Sequence, residues 1–313
     1  VASTDIINDW IPIEWDSDVI KRVQMDSAVE RWGYPVKMAS ATKRVLRSAG
    51  LTVTAGTTYT ADASTNDYIT LTARRFISQF VVDEDDLADA ESIVDVLNTK
   101  GMDWAISYAD TFDNACLAVS GTENGTTVPF TSVYKALRTT NSAVSYTADD
   151  NYLSWDDDKI AIASTPDGTS LYEKLSALLK KVETGQFWSL ADSLVIAAPG
   201  WRDALRLATD AQGRPIFIQG VAGTPDTLFN IPIQWARGCK VSATMTGAPT
   251  GNDVLIFCNR QYMKRGDRTS PESLIDQARA QDSTDDTAAK FRVRRGFGVA
   301  HEKAFSLLER LTD

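Results

Sequence analysis

With 313 residues, 43% apolar and 24% charged, the chain can bury a sizeable core and has the balance of an ordinary globular protein. Its net charge of −10, from 42 acidic and 32 basic residues, argues against a sequence-reading DNA binder but not against a container for nucleic acid, whose wall should avoid gripping phosphates. No apolar run approaches the roughly 18 residues of a membrane span, and Val1-Ala2-Ser3-Thr4-Asp5 lacks the basic start and apolar core of a signal peptide, so folding in a cytoplasm is expected.

A first residue of Val1 fits loss of an initiator methionine and processing of a longer leader equally well. Residues 1–36 carry Trp10, Trp15 and Trp32 among Asp9, Glu14, Asp16, Asp18 and Glu30, with Pro12 and Pro35 interrupting regular structure. Aromatic groups favour interfaces, so this stretch reads either as an extended arm docking on neighbouring subunits or as a segment packed on its own domain. From Lys37 to Ala73 the chain is rich in Thr, Ser and Ala. Leu51 and Val53, and again Ile69 and Leu71, alternate with threonines, which is the period of strands. Turn residues lie between them, so a long hairpin is expected, with too little apolar surface to stand alone.

Arg75–Val82 reads as a short strand leading into the acidic run Asp83-Glu84-Asp85-Asp86, which suits a helix start. Apolar positions from Ile93 through Trp104, Phe112 and Cys116 to Val119 predict a helix over about 89–119, weakened or bent at Gly101 and stopped at Gly121. Residues 120–168 read as polar turns. The triplet Asp156-Asp157-Asp158 lacks the alternation of a calcium loop and reads as solvated. An amphipathic helix is predicted over 170–184. A buried strand at Leu194–Ala198, a helix opened by Pro199-Gly200, and strands at Ile216–Ile218, Ile231–Trp235 and Val254–Cys258 complete one α+β unit. In the tail, Phe291, Val293, Phe297 and Val299 alternate with Lys290, Arg292 and Arg294, and a last helix is expected to carry Ala304, Phe305, Leu308 and Leu311. The basic stripe fits nucleic acid or, more commonly for alternating arginines, acids across an interface.

Catalytic patterns are missing. His301 is the only histidine, there is no Gly-x-Ser-x-Gly elbow, Walker loop or Rossmann fingerprint, and Cys116, Cys239 and Cys258 have neither zinc nor disulfide spacing. No cofactor, no metal and no enzymatic activity are expected, although abundant carboxylates leave a glycosidase pair formally open.

The order arm, Thr-rich hairpin, strand, acidic cap, long helix, α+β unit and returning strand resembles the major capsid proteins of tailed bacteriophages, of the Hong Kong 97 type. Three stretches carry the resemblance: Ile69–Arg75 with Val81–Leu87; Trp201–Leu205 through Asp210–Pro215, with its Gly-Arg-Pro turn; and Phe291–Arg295 with Ala304–Leu308. The resemblance implies an α+β fold divided into an N-terminal arm (1–36), an extended hairpin loop (37–73), a peripheral domain (74–160 and 261–313) with its spine helix, and an axial domain (161–260). It further implies a homo-oligomer of pentamers and hexamers forming an icosahedral shell in the virion, with portal, scaffolding and possible decoration proteins as partners. Packaged double-stranded DNA is contacted non-specifically, and no membrane is involved. Candidate contacts between copies are Trp10, Trp15, Trp32, Lys43, Arg44, Arg47, Arg74, Arg75, Glu84, Asp85, Asp86, Arg292 and Arg294. Some relatives lock the shell with a Lys–Asn isopeptide bond. This chain has no asparagine after Asn259 and only Lys43 near the hairpin, so no covalent lock is expected. An encapsulin-type shell around a cargo enzyme, and a monomeric α+β enzyme or binding module, are the alternatives.

Overall fold

The computed structural model describes residues 26–48, 53, 55, 67–83, 96–156, 168–208, 214, 215, 217–220, 225–276 and 286–311. Contacts divide the chain into two compact units, one of Val1–Gln24, Ile77–Ile106 and Glu272–Arg292, the other of Met25–Phe76, Ser107–Pro271 and Val293–Asp313.

The larger unit is organised by a seven-stranded sheet, in the order β5 (Tyr152–Asp156), β13 (Phe305–Leu311), β10 (Asp253–Asn259), β6 (Ser193–Ala197), β9 (Ile231–Trp235), β8 (Thr227–Leu228), β7 (Phe217–Ile218). All of β6 and β10 is buried, so these strands read as unbroken apolar runs rather than alternating ones. Helix α4 (Gly168–Glu183) lays Leu171, Leu175, Leu178 and Val182 against β5 and β13, and α5 (Trp201–Leu207) seats Trp201 and Leu205 beside β10.

The closing segment corrects one expectation. Ala304–Leu311 is not a helix: a short 3-10 turn at Glu302–Ala304, capped by His301, leads into β13, flanked by β5 and β10. Residues Phe305–Glu309 are buried on both faces of the sheet. A short, fully buried apolar run also satisfies helical spacing, and periodicity alone cannot separate the two. The stretch read as polar turns holds β5 and a short helix α3 (Val133–Leu137), capped by Ser132. Strand β11 (Met263–Asp276) was not foreseen, since Gly266 and Pro271 interrupt its pattern.

A second sheet has the order β1 (Tyr34–Lys37), β11, β12 (Asp286–Val299), β4 (Arg74–Asp83). Its alternation from Phe291 to Val299 is as expected, with Val293, Phe297 and Val299 buried and Arg292 exposed. Phe76, Phe112, Phe130 and Phe297 form the aromatic core of this part of the larger unit, with Phe76–Phe112 centroids 5.5 Å apart. Helix α2 (Val96–Leu117) supplies Phe112 and runs unbroken through Gly101 for 22 residues, about 33 Å. The acidic run from Glu84 to Asp86 and the first turns expected of this helix lie outside the described residues. In the smaller unit, Trp104 of α2 stacks on Phe291 at 5.6 Å, and Phe291 on Phe80 at 6.2 Å.

The hairpin pairs β2 (Thr42–Arg47) with β3 (Asp67–Thr72), Arg47 opposite Asp67 and Thr42 opposite Thr72. The paired segment therefore begins nearer the domain than the Leu51–Thr54 alternation suggested, and most of residues 49–66 lies outside the described residues. One face carries Leu71, which is fully buried and packs with Met38, Ala73, Val36, Val45 and Ile69. Gly298 makes room for it, since a Cβ there would lie 2.7 Å from Leu71 Cδ2. The opposite face leaves Arg44, Leu46, Tyr68 and Thr70 exposed.

Candidate interface between copies

The segment 26–37 is anchored within its own chain. Ser27 caps helix α1 (Ala28–Trp32), and the fully buried Asp113 of α2 accepts from Ser27 Oγ (2.6 Å), Ala28 N (2.8 Å) and Val29 N (3.1 Å). Burial pushes the Asp113 carboxyl up to about 7, against the pull of these three donors. One turn on, Glu30 accepts from Arg295 Nε at 2.7 Å and from the Tyr108 hydroxyl at 2.6 Å, and pairs with Arg265 at 3.0 Å. Arg295 also donates to Thr269 O at 2.8 Å. Burial, followed by the Glu30 charge, raises the Tyr108 hydroxyl far above its ordinary range and keeps it a donor.

Trp32, one of the candidate contacts, is half-buried. Its indole Nε1 donates to Gln234 Oε1 at 3.0 Å, and the guanidiniums of Arg31 and Arg260 lie 5.3 and 5.7 Å from its ring. Trp10 and Trp15 precede the described residues, and Glu84, Asp85 and Asp86 also lie outside them.

On the hairpin, Lys43 is exposed and donates to Lys37 O at 2.8 Å, while Arg44 lies over the Tyr68 ring at 4.4 Å. Arg47 points inward: it pairs with Asp67, stands 3.9 Å from Glu302 and donates to Ala300 O at 3.3 Å, with its Nε buried and unpartnered. Arg74 donates to Pro129 O (3.3 Å) and Glu123 (3.2 Å), and packs against Gly125, whose φ of +79° suits a residue without a side chain. Arg75 is exposed. Arg292 pairs with Glu272 at 2.8 Å, and Arg294 is half-buried with Nε unpartnered.

The structure therefore turns Arg47 inward at the loop end of the β2–β3 pairing and leaves Lys43 and Arg44, on opposite faces of β2, and Arg75 of β4 exposed. Two groups escaped sequence reading. Arg295 breaks the alternation that placed its neighbours outside, and Asp113 sits inside an apolar helical stripe; a carboxylate at such a position is the one signal that could have flagged it. Among the described residues, no cluster of three or more His, Cys, Asp or Glu could hold a metal ion, and no helix is long and apolar enough to cross a membrane.

The chain is thus an α+β protein with a seven-stranded sheet, a four-stranded sheet, a two-stranded hairpin and a 22-residue helix. The chain matches the Phage capsid family over residues 8–309 and belongs to it. It is a structural protein, the major capsid protein of a bacteriophage-type icosahedral shell and a component of the virion. Solved structures share the fold at low identity. That of Mycobacterium phage Bobi is 14% identical with a TM-score of 0.68 over 98% of each chain. The capsid of a native GTA particle is 15% identical at 0.66, covering 100% of this chain and 99% of that one. The capsid of cyanophage P-SCSP1u is 14% identical at 0.65, covering 99% and 96%. No curated protein sequence matches the chain.

Proposed function

We propose that the chain assembles as pentamers and hexamers around double-stranded DNA, in a head that also recruits portal and scaffolding proteins and possibly a decorating protein. The hairpin carries this reading: its outer face exposes Leu46 (83%) and Tyr68 (43%), and Val53 further along the loop is 94% exposed. Apolar groups displayed on an extended loop gain burial only from another surface. Obligate interfaces of this kind cover roughly 2,000–5,000 Å². Assembly in the host cytoplasm is part of the same proposal. So is a division into a 1–36 arm, a 37–73 loop, a peripheral domain (74–160 and 261–313) and an axial domain (161–260).

The candidate contacts fall into two groups within it. Lys43, Arg44, Arg75 and Arg292 meet acids of adjoining copies, the run Glu84-Asp85-Asp86 being their counterpart. Arg47, Arg74 and Arg294 hold the hairpin and closing strand in place, Trp32 anchors the arm on its own chain through Gln234, and Trp10 and Trp15 dock on neighbours.

Negative-stain microscopy and sedimentation of the purified protein, with and without scaffolding protein, test the proposal. Closed shells or rings of five or six are expected, and native particles should protect DNA from nuclease. Particles holding a cargo enzyme and no DNA would overturn the DNA part; a persistent monomer in every condition would overturn the whole. The shell is also expected to lack covalent cross-links, so boiled particles should run as a single monomer band, and a ladder would refute this.

A further inference from the structure

The turn over residues 121–131 holds the only asparagine of the chain that is followed by glycine, Asn124-Gly125. At such a dipeptide a backbone modifies itself. The nitrogen of the glycine attacks the side-chain carbon Cγ of the asparagine, ammonia leaves, and a cyclic imide forms. Water then opens either carbonyl of the imide, giving aspartate or, with the main chain rerouted through the side chain, isoaspartate. Glycine favours the attack because it has no Cβ to hinder the approach.

The fold engages both reacting groups. Gly125 N donates to Val128 O at 3.0 Å, and Asn124 N donates to the same oxygen at 3.0 Å. Asn124 Oδ1 accepts from Val128 N (2.9 Å), Thr126 N (3.0 Å) and Thr126 Oγ1 (3.2 Å), while Nδ2 donates to Thr127 Oγ1 at 2.8 Å. The side-chain amide is thereby held toward residues 126–128, and the nitrogen that must depart is tied. The turn itself is clamped: Met245 N donates to Thr127 O at 2.9 Å, and Val128 and Phe130 are buried. Arg74 lies against Gly125 and donates to Glu123 and to Pro129 O. The turn demands these residue types, asparagine for its bonds to nearby backbone and glycine for a φ of +79°. Chemical lability comes with them.

We infer that Asn124 is a deamidation site that the closed turn blocks, so that conversion follows opening of the turn and then prevents it from closing again. Aspartate or isoaspartate at this position has no Nδ2 to donate to Thr127 and sets a second carboxylate beside Glu123. Isoaspartate also lengthens the main chain between the two amides that share Val128 O. A converted turn gives up its seat for Arg74 at the start of β4. The inference concerns the single subunit and does not depend on the assembly proposed above.

The test keeps the full chain in mildly alkaline buffer for days, folded and in concentrated urea. Peptide mapping by mass spectrometry follows the amide-to-acid mass gain at Asn124, and isoaspartate methyltransferase labels the rerouted product. Conversion is expected in urea, and at least about tenfold slower in the folded chain, the ratio measuring how rarely the turn opens. Equal rates in the two conditions overturn the inference, because the turn would then give no protection. No conversion in urea also overturns it, because the dipeptide would not be labile. Arg74→Ala, with one clamp removed, should convert roughly threefold faster than the folded parent. Arg74→Ala that folds and converts at the parent rate would overturn the part given to Arg74. In Asn124→Gln the mass gain should vanish, and a gain that persists would place the reaction on another amide and overturn the assignment.

Discussion

Strand β10 and the β2–β3 hairpin are both paired β-structure, yet they bury their side chains very differently. Every residue from Asp253 to Asn259 is buried, with β13 on one side and β6 on the other. Across the two hairpin strands only Leu71 reaches that state. Backbone pairing is therefore not what distinguishes them. The sheet folds on its own apolar surface, whereas the hairpin is held by a small cluster around Leu71 and the Arg47–Asp67 pair, with its other face exposed. On the assembly proposed above, the sheet holds the subunit and the hairpin's exposed face joins the shell, and substitutions in the two places separate these roles.

The largest effect is expected in the sheet. Phe257→Ala empties a fully buried site between Val195 and Ser306 and should cost roughly 3–5 kcal/mol, a large share of the 5–15 kcal/mol typical of a domain. Urea denaturation of the subunit measures it, and a loss under about 1 kcal/mol would show that this sheet is not the principal core. Asp113→Ala comes next. It strands one hydroxyl and two amide donors and should cost roughly 2–3 kcal/mol, with new proteolytic cleavage near residues 26–37. Protection of that segment in the variant would mean that Glu30 and its arginine partners suffice to hold it.

The hairpin sharpens the contrast within one element. Leu71→Ala, on its inner face, should cost the subunit roughly 2–3 kcal/mol. Leu46→Ala, 83% exposed, should leave the subunit within about 0.5 kcal/mol yet lower the yield of shells in sedimentation. If Leu46→Ala assembled like the parent chain, the outer face would not be a contact.

The same division explains what could be read in advance. The sheet strands β6, β9 and β10, the helices α2, α4 and α5, and the alternation of β12 announced themselves because one period dominates each. Strand β13 was misread because burial on both faces erases period two, leaving Ala304, Phe305, Leu308 and Leu311 at helical spacing. Strand β11 was invisible because Gly266 and Pro271 break its pattern, and Gly266 is there for packing: a side chain at that position would collide with the Met38 sulfur. Of the candidate contacts, residue type alone could not separate Arg47 from Arg44. The two differ by three positions on one strand and therefore face opposite ways, so which of them reaches Asp67 and Glu302 depended on register. Asp113 and Arg295, the groups that fix the arm's exit, are polar residues on apolar faces, and their partners lie too far away in sequence for any local pattern to supply.

The last expected effect is a pH dependence at the seam between hairpin and sheet. His301 stacks on Phe187 with centroids 3.7 Å apart, and its Nδ1 accepts from Lys303 N. Burial, then the charges of Arg47 and Lys303, lower its pKa from the ordinary 6.5 to about 4. The unfolded chain thus takes up this proton at a higher pH than the folded one. The contribution of His301 is complete above about pH 6.5 and drains away as the pH falls toward 4. Asp113 acts in the opposite sense over an overlapping range: its folded pKa near 7 exceeds the ordinary 3.8, so its protonation favours the folded state as pH falls between those values. The two slopes partly cancel in the parent chain, and His301→Asn, which keeps an acceptor for Lys303 N and removes the charge, should expose the difference. Denaturation midpoints of variant and parent are expected to run parallel above pH 7 and to diverge in favour of the variant between pH 6.5 and 4. Parallel curves throughout would mean that the imidazole is solvated enough to titrate normally, and that the hairpin base opens under mild acid.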